Sequence, residues 1–444
     1  KINSTSVLSS SVNPSYFGLS VTFTTVVSPS GSTGVVKFYD GTTCIGTRPV
    51  CNDTAKFTTS SLIAGMHAIS SSYRGDNNHF SSTSNTVYQS VNKVITTTNV
   101  MSNNNPSTYQ QSVTISINIS PSTATGSVEF FDGTASLGDA DLDEEAYASI
   151  TTSALTTGSH IITVAYSGDA NHKTNISQEF VQTVNKITTS TSIVSNDDSS
   201  YYGQSVTFTA TVNPEGSTGS IEFFDGTNSL GIVNLEGNSA SITTSSLATG
   251  NHSISVKYNG DVNHSVSTSE SMNQNVGKLS SSILISSSVS PSVYGNSVKF
   301  TATVSSNTAT GSVQFFDGVN SLGSAAIVSG SAFINVSTLA VGLHSISASY
   351  SGDTNYVPSN STSIAQTITK TSTQTTISSG SNPSQFGQTI TLTASLSPIS
   401  ATGSVEFFDS TLTLGVVALT NGTASLQVSS FTIGTHGLKV VYSG

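Results

Sequence analysis

Five histidines, His67, His160, His252, His344 and His436, return at a nearly constant interval, and four Asp-x-Asn pairs keep step with them: Asp76/Asn78, Asp169/Asn171, Asp261/Asn263 and Asp353/Asn355. A histidine serves as a catalytic base when a nucleophile and an orienting acid accompany it. No Ser or Cys motif of that kind adjoins any of the five, and they share parity with inward residues such as Ile162 and Tyr166. They read as structural side chains, each satisfied by a hydrogen bond near the end of its β-unit. The Asp-x-Asn pairs put oxygens at alternate loop positions, a pattern that can hold Ca²⁺. Each loop lacks further carboxylates and a bidentate Glu, and Asp and Asn also favour turns because their side chains bond to nearby backbone. Turn chemistry is therefore the first reading of these pairs and a metal site the second.

Two cysteines, Cys44 and Cys51, flank Pro49 in the first ninety-odd residues. In an oxidising compartment they read as a small disulfide loop across a hairpin, with two free thiols as the alternative. Nine Asn-x-Ser/Thr sequons, at Asn3, Asn52, Asn118, Asn175, Asn251, Asn263, Asn335, Asn360 and Asn421, permit N-glycosylation; in so Ser- and Thr-rich a chain, chance gives roughly as many. One aromatic per interval, Tyr39, Phe131, Phe224, Phe316 or Phe408, has outward parity. Such a residue is either covered by loops or offers a lateral contact to a neighbour or a glycan.

The elements that position these residues repeat too. The stretch Ala124-Thr125-Gly126-Ser127-Val128-Glu129-Phe130-Phe131-Asp132-Gly133 has near-copies anchored on Gly34, Gly219, Gly311 and Gly403, at spacings of 92, 93, 92 and 92 residues. A fixed period of this kind governs the reading of the whole chain. Val128 and Phe130 point to one face, Ser127, Glu129 and Phe131 to the other, and Asp132-Gly133 makes the turn. Strict alternation also marks the preceding strand: in the third copy Val206, Phe208, Ala210 and Val212 point inward. About seven short strands per period, with turn signals every 8–12 residues, indicate an antiparallel sandwich of immunoglobulin type. The Cys…Trp…Cys core of antibody domains is absent, since the chain has no Trp.

Only 8% of the residues are charged, against a usual fraction of about 25%. The net charge of −11 argues against nucleic acid as a partner, because phosphate neutralisation needs a basic face. No apolar run is long enough to span a membrane, and Lys1-Ile2-Asn3-Ser4 does not open a signal peptide. The sequence reads as a mature or excised part of something longer.

The elements Asn382-Pro383-Ser384-Gln385-Phe386-Gly387, Ala124-to-Gly133, the Gly-x-His strand ending in Tyr-Ser-Gly-Asp, and Gln182-Thr183-Val184-Asn185-Lys186 together resemble the bacterial Ig-like domain repeats of large cell-surface and adhesin proteins. The resemblance implies an all-β fold, a tandem array of immunoglobulin-like antiparallel β-sandwiches. It also implies extracellular or cell-surface placement and a structural role without enzymatic activity or cofactor. Five repeats are expected, at 1–92, 93–185, 186–277, 278–369 and 370–444, each opening near a lysine. The second is longer by one residue around its acidic run, Asp139 to Tyr147, and the fifth has Ser410 in place of the turn glycine. The fifth also stops at Tyr442-Ser443-Gly444 without its last strand, which leaves an open sheet edge. Either the native chain continues, or a neighbouring subunit donates the strand. Junctions such as Val184-Asn185-Lys186-Ile187 lack Gly and Pro, so a semi-rigid rod is expected, roughly 40 Å per repeat and roughly 200 Å in all. The expected partners are proteins, further copies of the chain or cell-surface components. The alternative is an adhesion module that binds glycan or a partner through loops or outer aromatics.

Overall fold

The computed structural model describes all residues from Lys1 to Gly444 and is built from strands without a helix. The first repeat shows the plan. Its strands are β1 (Thr5–Ser10), β2 (Ser15–Tyr16), β3 (Val21–Ser28), β4 (Val35–Asp40), β5 (Thr43–Pro49), β6 (Thr54–Thr59), β7 (Gly65–Tyr73), β8 (Ser82–Thr83) and β9 (Val87–Asn92). One sheet has the order β1-β3-β6, and the other β2-β9-β7-β4-β5 with β8 alongside β7. The alternation of β3 sets this arrangement: Val21, Phe23, Thr25 and Val27 are buried between the sheets, Thr25 with its hydroxyl bonded to Ser71, while Thr22, Thr24 and Val26 lie towards solvent. A one-residue slip would reverse every one of them. From the opposing sheet Val36, Phe38, Ile69 and Tyr73 complete the core.

Seven full strands are joined by two two-residue segments that the periodicity does not reveal. The Asn13–Gly18 stretch reads as a turn, but Ser15 and Tyr16 within it pair in parallel with Val91 and Asn92. A β-bulge separates Phe38, which faces Gly46, from Tyr39, which faces Cys44. Gly46 belongs there because a Cβ would stand 2.4 Å from the Phe57 ring.

The same sheet orders recur in the second, third and fourth repeats. The fifth has two three-stranded sheets, Gln374–Ser379 with Ile390–Ser397 and Thr423–Val428, and Leu412–Ala418 with Ser404–Asp409 and Leu438–Tyr442. The chain divides into two compact units, one of Lys1–Asp197, Val206–Thr243 and His252–Gln274, the other of Asp198–Ser205, Thr244–Asn251 and Asn275–Gly444. The first unit holds the cores around Phe23 and Phe38, around Ile115 and Phe130, and around Phe208 and Phe223. The second holds those around Phe300 and Phe315 and around Leu392 and Phe407.

Candidate functional site

Two polar constellations recur in the repeats. The first joins the third residue of β7 to the last residue of β4. His67 Nδ1 lies 2.6 Å from Asp40 Oδ2, and its Nε2 lies 2.7 Å from the carbonyl oxygen of Ile63. His160 repeats this with Asp132 and Thr156, His344 with Asp317 and Ala340, and His436 with Asp409 and Thr432. His252 meets Asp225 Oδ2 at 2.7 Å. A carboxylate and a carbonyl both accept only, so both ring nitrogens must donate and the imidazole is held as a cation. Burial alone would lower the pKa of His67 and His160, but the bonds to Asp40 and the Ile63 carbonyl, and to the Thr156 carbonyl and Asp132, outweigh it and raise both. The Ala340 and Thr432 carbonyls, with Asp317 and Asp409, raise His344 and His436 likewise. With both nitrogens committed, these side chains tie the β4–β5 turn to the start of β7.

The second constellation is the loop after β7. Asp76 Oδ2 accepts from Thr33 N at 2.8 Å and Thr33 Oγ1 at 3.0 Å; Oδ1 accepts from the backbone N–H groups of Asn78 and His79, each at 2.7 Å. His79 Nδ1 lies 3.0 Å from the same oxygen. Asp169, Asp261 and Asp353 repeat the pattern with Thr125, Thr218 and Thr310. The Thr33 N–H, with the loop's other donors, holds Asp76 far below the usual carboxylate range. Burial raises Asp353, but the Thr310 and Asn355 N–H groups prevail and bring it to about 2. The opposite face of the loop clamps the chain entering its repeat. Val94 N donates to Asn171 O at 2.9 Å, Lys173 N donates back to Val94 O at 2.8 Å, and Lys93 Nζ reaches Asp169 O at 2.5 Å. Tyr166 and Tyr258, buried in the adjoining core, donate to the carbonyls of Thr125 and Thr218. Burial, with the nearby Asp169 and Asp261, pushes both phenols up to about 12.

The carboxylate oxygens offered as calcium ligands are thus occupied by N–H and O–H donors. No three His, Cys, Asp or Glu side chains gather into a metal-binding group.

The cysteines require a correction. Cys44 and Cys51 are exposed free thiols, not a disulfide. Cys44 pairs with Tyr39 beside the β4–β5 turn, and Cys51 bridges to Thr54 past the far end of β5. Opposite ends of one extended strand stand about 20 Å apart, whereas a disulfide needs Cα atoms within about 7 Å. Pro49 is the last residue of β5, an edge strand, and breaks nothing there.

Tyr39, Phe131, Phe224, Phe316 and Phe408 are half-buried on the outer face, Phe408 beneath Lys439 Nζ at 5.1 Å from the ring centroid. Of the sequon asparagines, Asn175 and Asn263 are half-buried; Asn3, Asn52, Asn118, Asn251, Asn335, Asn360 and Asn421 are exposed.

Two phased sets were passed over in the sequence. Gln89, Gln182, Gln274 and Gln366 are fully buried in the last strand of their repeats. Gln89 accepts from Ser10 Oγ and donates to the Val12 carbonyl and Ser15 Oγ, tying β9 to β1 and β2. His79, His172, His264 and Tyr356 stand three residues after the loop aspartates, and their spacing was the available signal.

Paired three- and six-stranded sheets, repeated in series without a departing cluster of reactive groups, define a tandem array of Ig-like β-sandwiches. The family model described as bacterial Ig-like domain (group 3) matches residues 8–92, 100–185, 193–277, 285–369 and 376–444, and the chain belongs to that family. Comparison with curated proteins gave no match. Among solved structures, the chain is similar to a bacterial ice-binding adhesin, at 12% identity over 63% of this chain and 99% of the other, TM-score 0.30. It is also similar to the fibronectin(III)-like modules of Clostridium thermocellum CbhA, at 18% identity over 40% and 94%, TM-score 0.17. A third similarity is to Sidekick-1 immunoglobulin domains 1–5, at 12% identity over 95% and 92%, TM-score 0.23. At such scores none of these three carries an argument about function.

Proposed function

We propose that the chain is a non-enzymatic extracellular spacer, a stalk or appendage segment of a cell-surface protein. The observation that carries this reading is the repetition itself: the polar constellations recur in phase and tie strands and loops together, so the chain's chemistry is spent on holding its shape. Repeat boundaries at 1–92, 93–185, 186–277, 278–369 and 370–444 place a connector of a few residues between sandwiches. A linear arrangement of five repeats would extend roughly 200 Å. Small-angle scattering tests it. An extended array predicts a radius of gyration of roughly 55–60 Å, and a value near the roughly 22 Å of a compact 444-residue globule contradicts the spacer.

Contacts with proteins, further copies or surface components belong to the same proposal. Tyr39, Phe131, Phe224, Phe316 and Phe408 are its lateral contacts. A strand beside Leu438–Tyr442, from the continuing chain or donated by a neighbouring subunit, would complete the fifth repeat. The loops need no calcium, because their carboxylates already have donors; adding Ca²⁺ is expected to leave the melting temperature unchanged, and a rise would assign them a metal.

A further inference from the structure

The aspartate loop has an outer side that meets the repeat before it. Between the first and second repeats, Ala64 N donates to Asn171 Oδ1 at 2.9 Å, and the Phe17 ring meets the His172 ring edge-on, with centroids 5.7 Å apart and planes at 78°. Between the second and third, Thr157 Oγ1 donates to Val262 O at 2.9 Å. In the second compact unit Thr249 Oγ1 donates to Thr354 O at 2.8 Å, and Tyr202 meets Tyr356 edge-on at 6.1 Å and 74°. These contacts use equivalent positions. Ala64, Thr157 and Thr249 each precede the glycine that opens β7 or its counterpart. Phe17 and Tyr202 each precede the glycine of the turn after β2 or its counterpart, and His172 and Tyr356 each follow the loop aspartate by three residues.

Burial supplies an internal control. Phe17, Tyr109 and Tyr202, each followed by a repeat with this loop, are half-buried. Tyr294 and Phe386 hold the same position without such a loop in front of them and are 55% and 76% exposed. Ile433, the counterpart of Ala64, is 89% exposed, while Ala64, Thr157 and Thr249 are half-buried.

We propose that the Gly-Asp-x-Asn-His/Tyr loop is a docking socket whose partner is the tip of a preceding repeat of the same kind. The socket reads one aromatic edge and one hydrogen-bond donor. The rim is small and partly polar, so each contact contributes little affinity by itself and works because the connector keeps the two repeats at high effective concentration. Edge-to-face packing fixes an angle as well as a distance, so the socket sets the orientation of successive repeats. Without it, motion between tethered domains is the default. This inference rests on the reading of the chain as a tandem spacer.

The test uses the full chain with Cys44→Ser and Cys51→Ser, and spin labels at Lys56→Cys and Ser149→Cys, exposed strand residues of the first two repeats. The parent is expected to give one narrow distance distribution. Phe17→Ala and His172→Ala should each broaden it, the double variant no further than either, and Phe17→Tyr, which puts at this position the aromatic that Tyr202 supplies in the third repeat, should leave it narrow. Amide spectra of the variants verify that both repeats stay folded, since neither side chain belongs to a hydrophobic core. An already broad parent distribution, or unchanged width in both alanine variants, overturns the socket. Scattering from an extended but flexible chain would then leave the spacer standing without it, whereas a compact chain would remove the spacer reading itself.

Discussion

A histidine with an acceptor on each ring nitrogen stabilises the fold only while it is protonated. For His67, His160, His344 and His436 the native pKa is raised above 6.5. Their contribution is therefore complete below pH 6.5 and fades as pH rises through the native values. The loop carboxylates work the other way. Asp169, Asp261 and Asp353 have native values below 3.8, so their contribution is complete above that pH and is lost as acid titrates them. Melting temperature should therefore peak between these limits and fall from pH 6 to pH 9. Exchange of the four histidines for Gln should flatten the alkaline limb, and a parent profile level over that range would contradict the cationic assignment. Ser410 sits at φ 56 where the corresponding turns have glycine at φ 57 or 58. Ser410→Gly is expected to stabilise the fifth repeat by about 1 kcal/mol, measured by denaturant unfolding. The histidines' parity was legible in the sequence, but their charge was not, because it depends on a carbonyl brought in by the loop before β7. The cysteines were misread because Pro49 looked like a turn and is instead the last residue of an edge strand.

The strand is the scale at which the sequence was most informative. Alternation over Val206–Asn213 or Ile390–Ser397 leaves one register that buries the apolar set, and those residues line the sandwich. Phe130, fully buried on the Phe-Phe strand, belongs to the core of the second repeat. Phe130→Ala should destabilise the second repeat by about 3–5 kcal/mol in chemical denaturation. What periodicity could not show was anything with fewer than three residues or with only polar content. The two-residue β2 is held by backbone pairing, and the buried glutamines are held by hydrogen bonds, so neither leaves an apolar signature. Gln89 is the clearest case. Gln89→Leu matches it roughly in volume but removes the bonds that tie β9 to Ser10 Oγ, the Val12 carbonyl and the buried Ser15 Oγ, so a loss of about 1–3 kcal/mol in the first repeat is expected by the same method. An unchanged midpoint would show that β9 is held by its backbone alone.

For the molecule as a whole, duplication was plain in the fixed spacing of the anchor glycines, while the socket was not. Nothing in one repeat's sequence says which loop abuts its neighbour, and Asp-x-Asn looked like a turn or a metal loop because both use the same oxygens. The histidine or tyrosine that follows became meaningful only beside Phe17 or Tyr202. Each sandwich of the array has its own core and its own tied loops. The central claim is that each of the four repeats with a six-stranded sheet is a separate folding unit. Pulling the full chain from its ends tests this most directly. The account predicts at least four unfolding events of equal length, each releasing about 290 Å of contour for ninety-odd residues less the folded span. One large cooperative event, or steps of unrelated lengths, would contradict it.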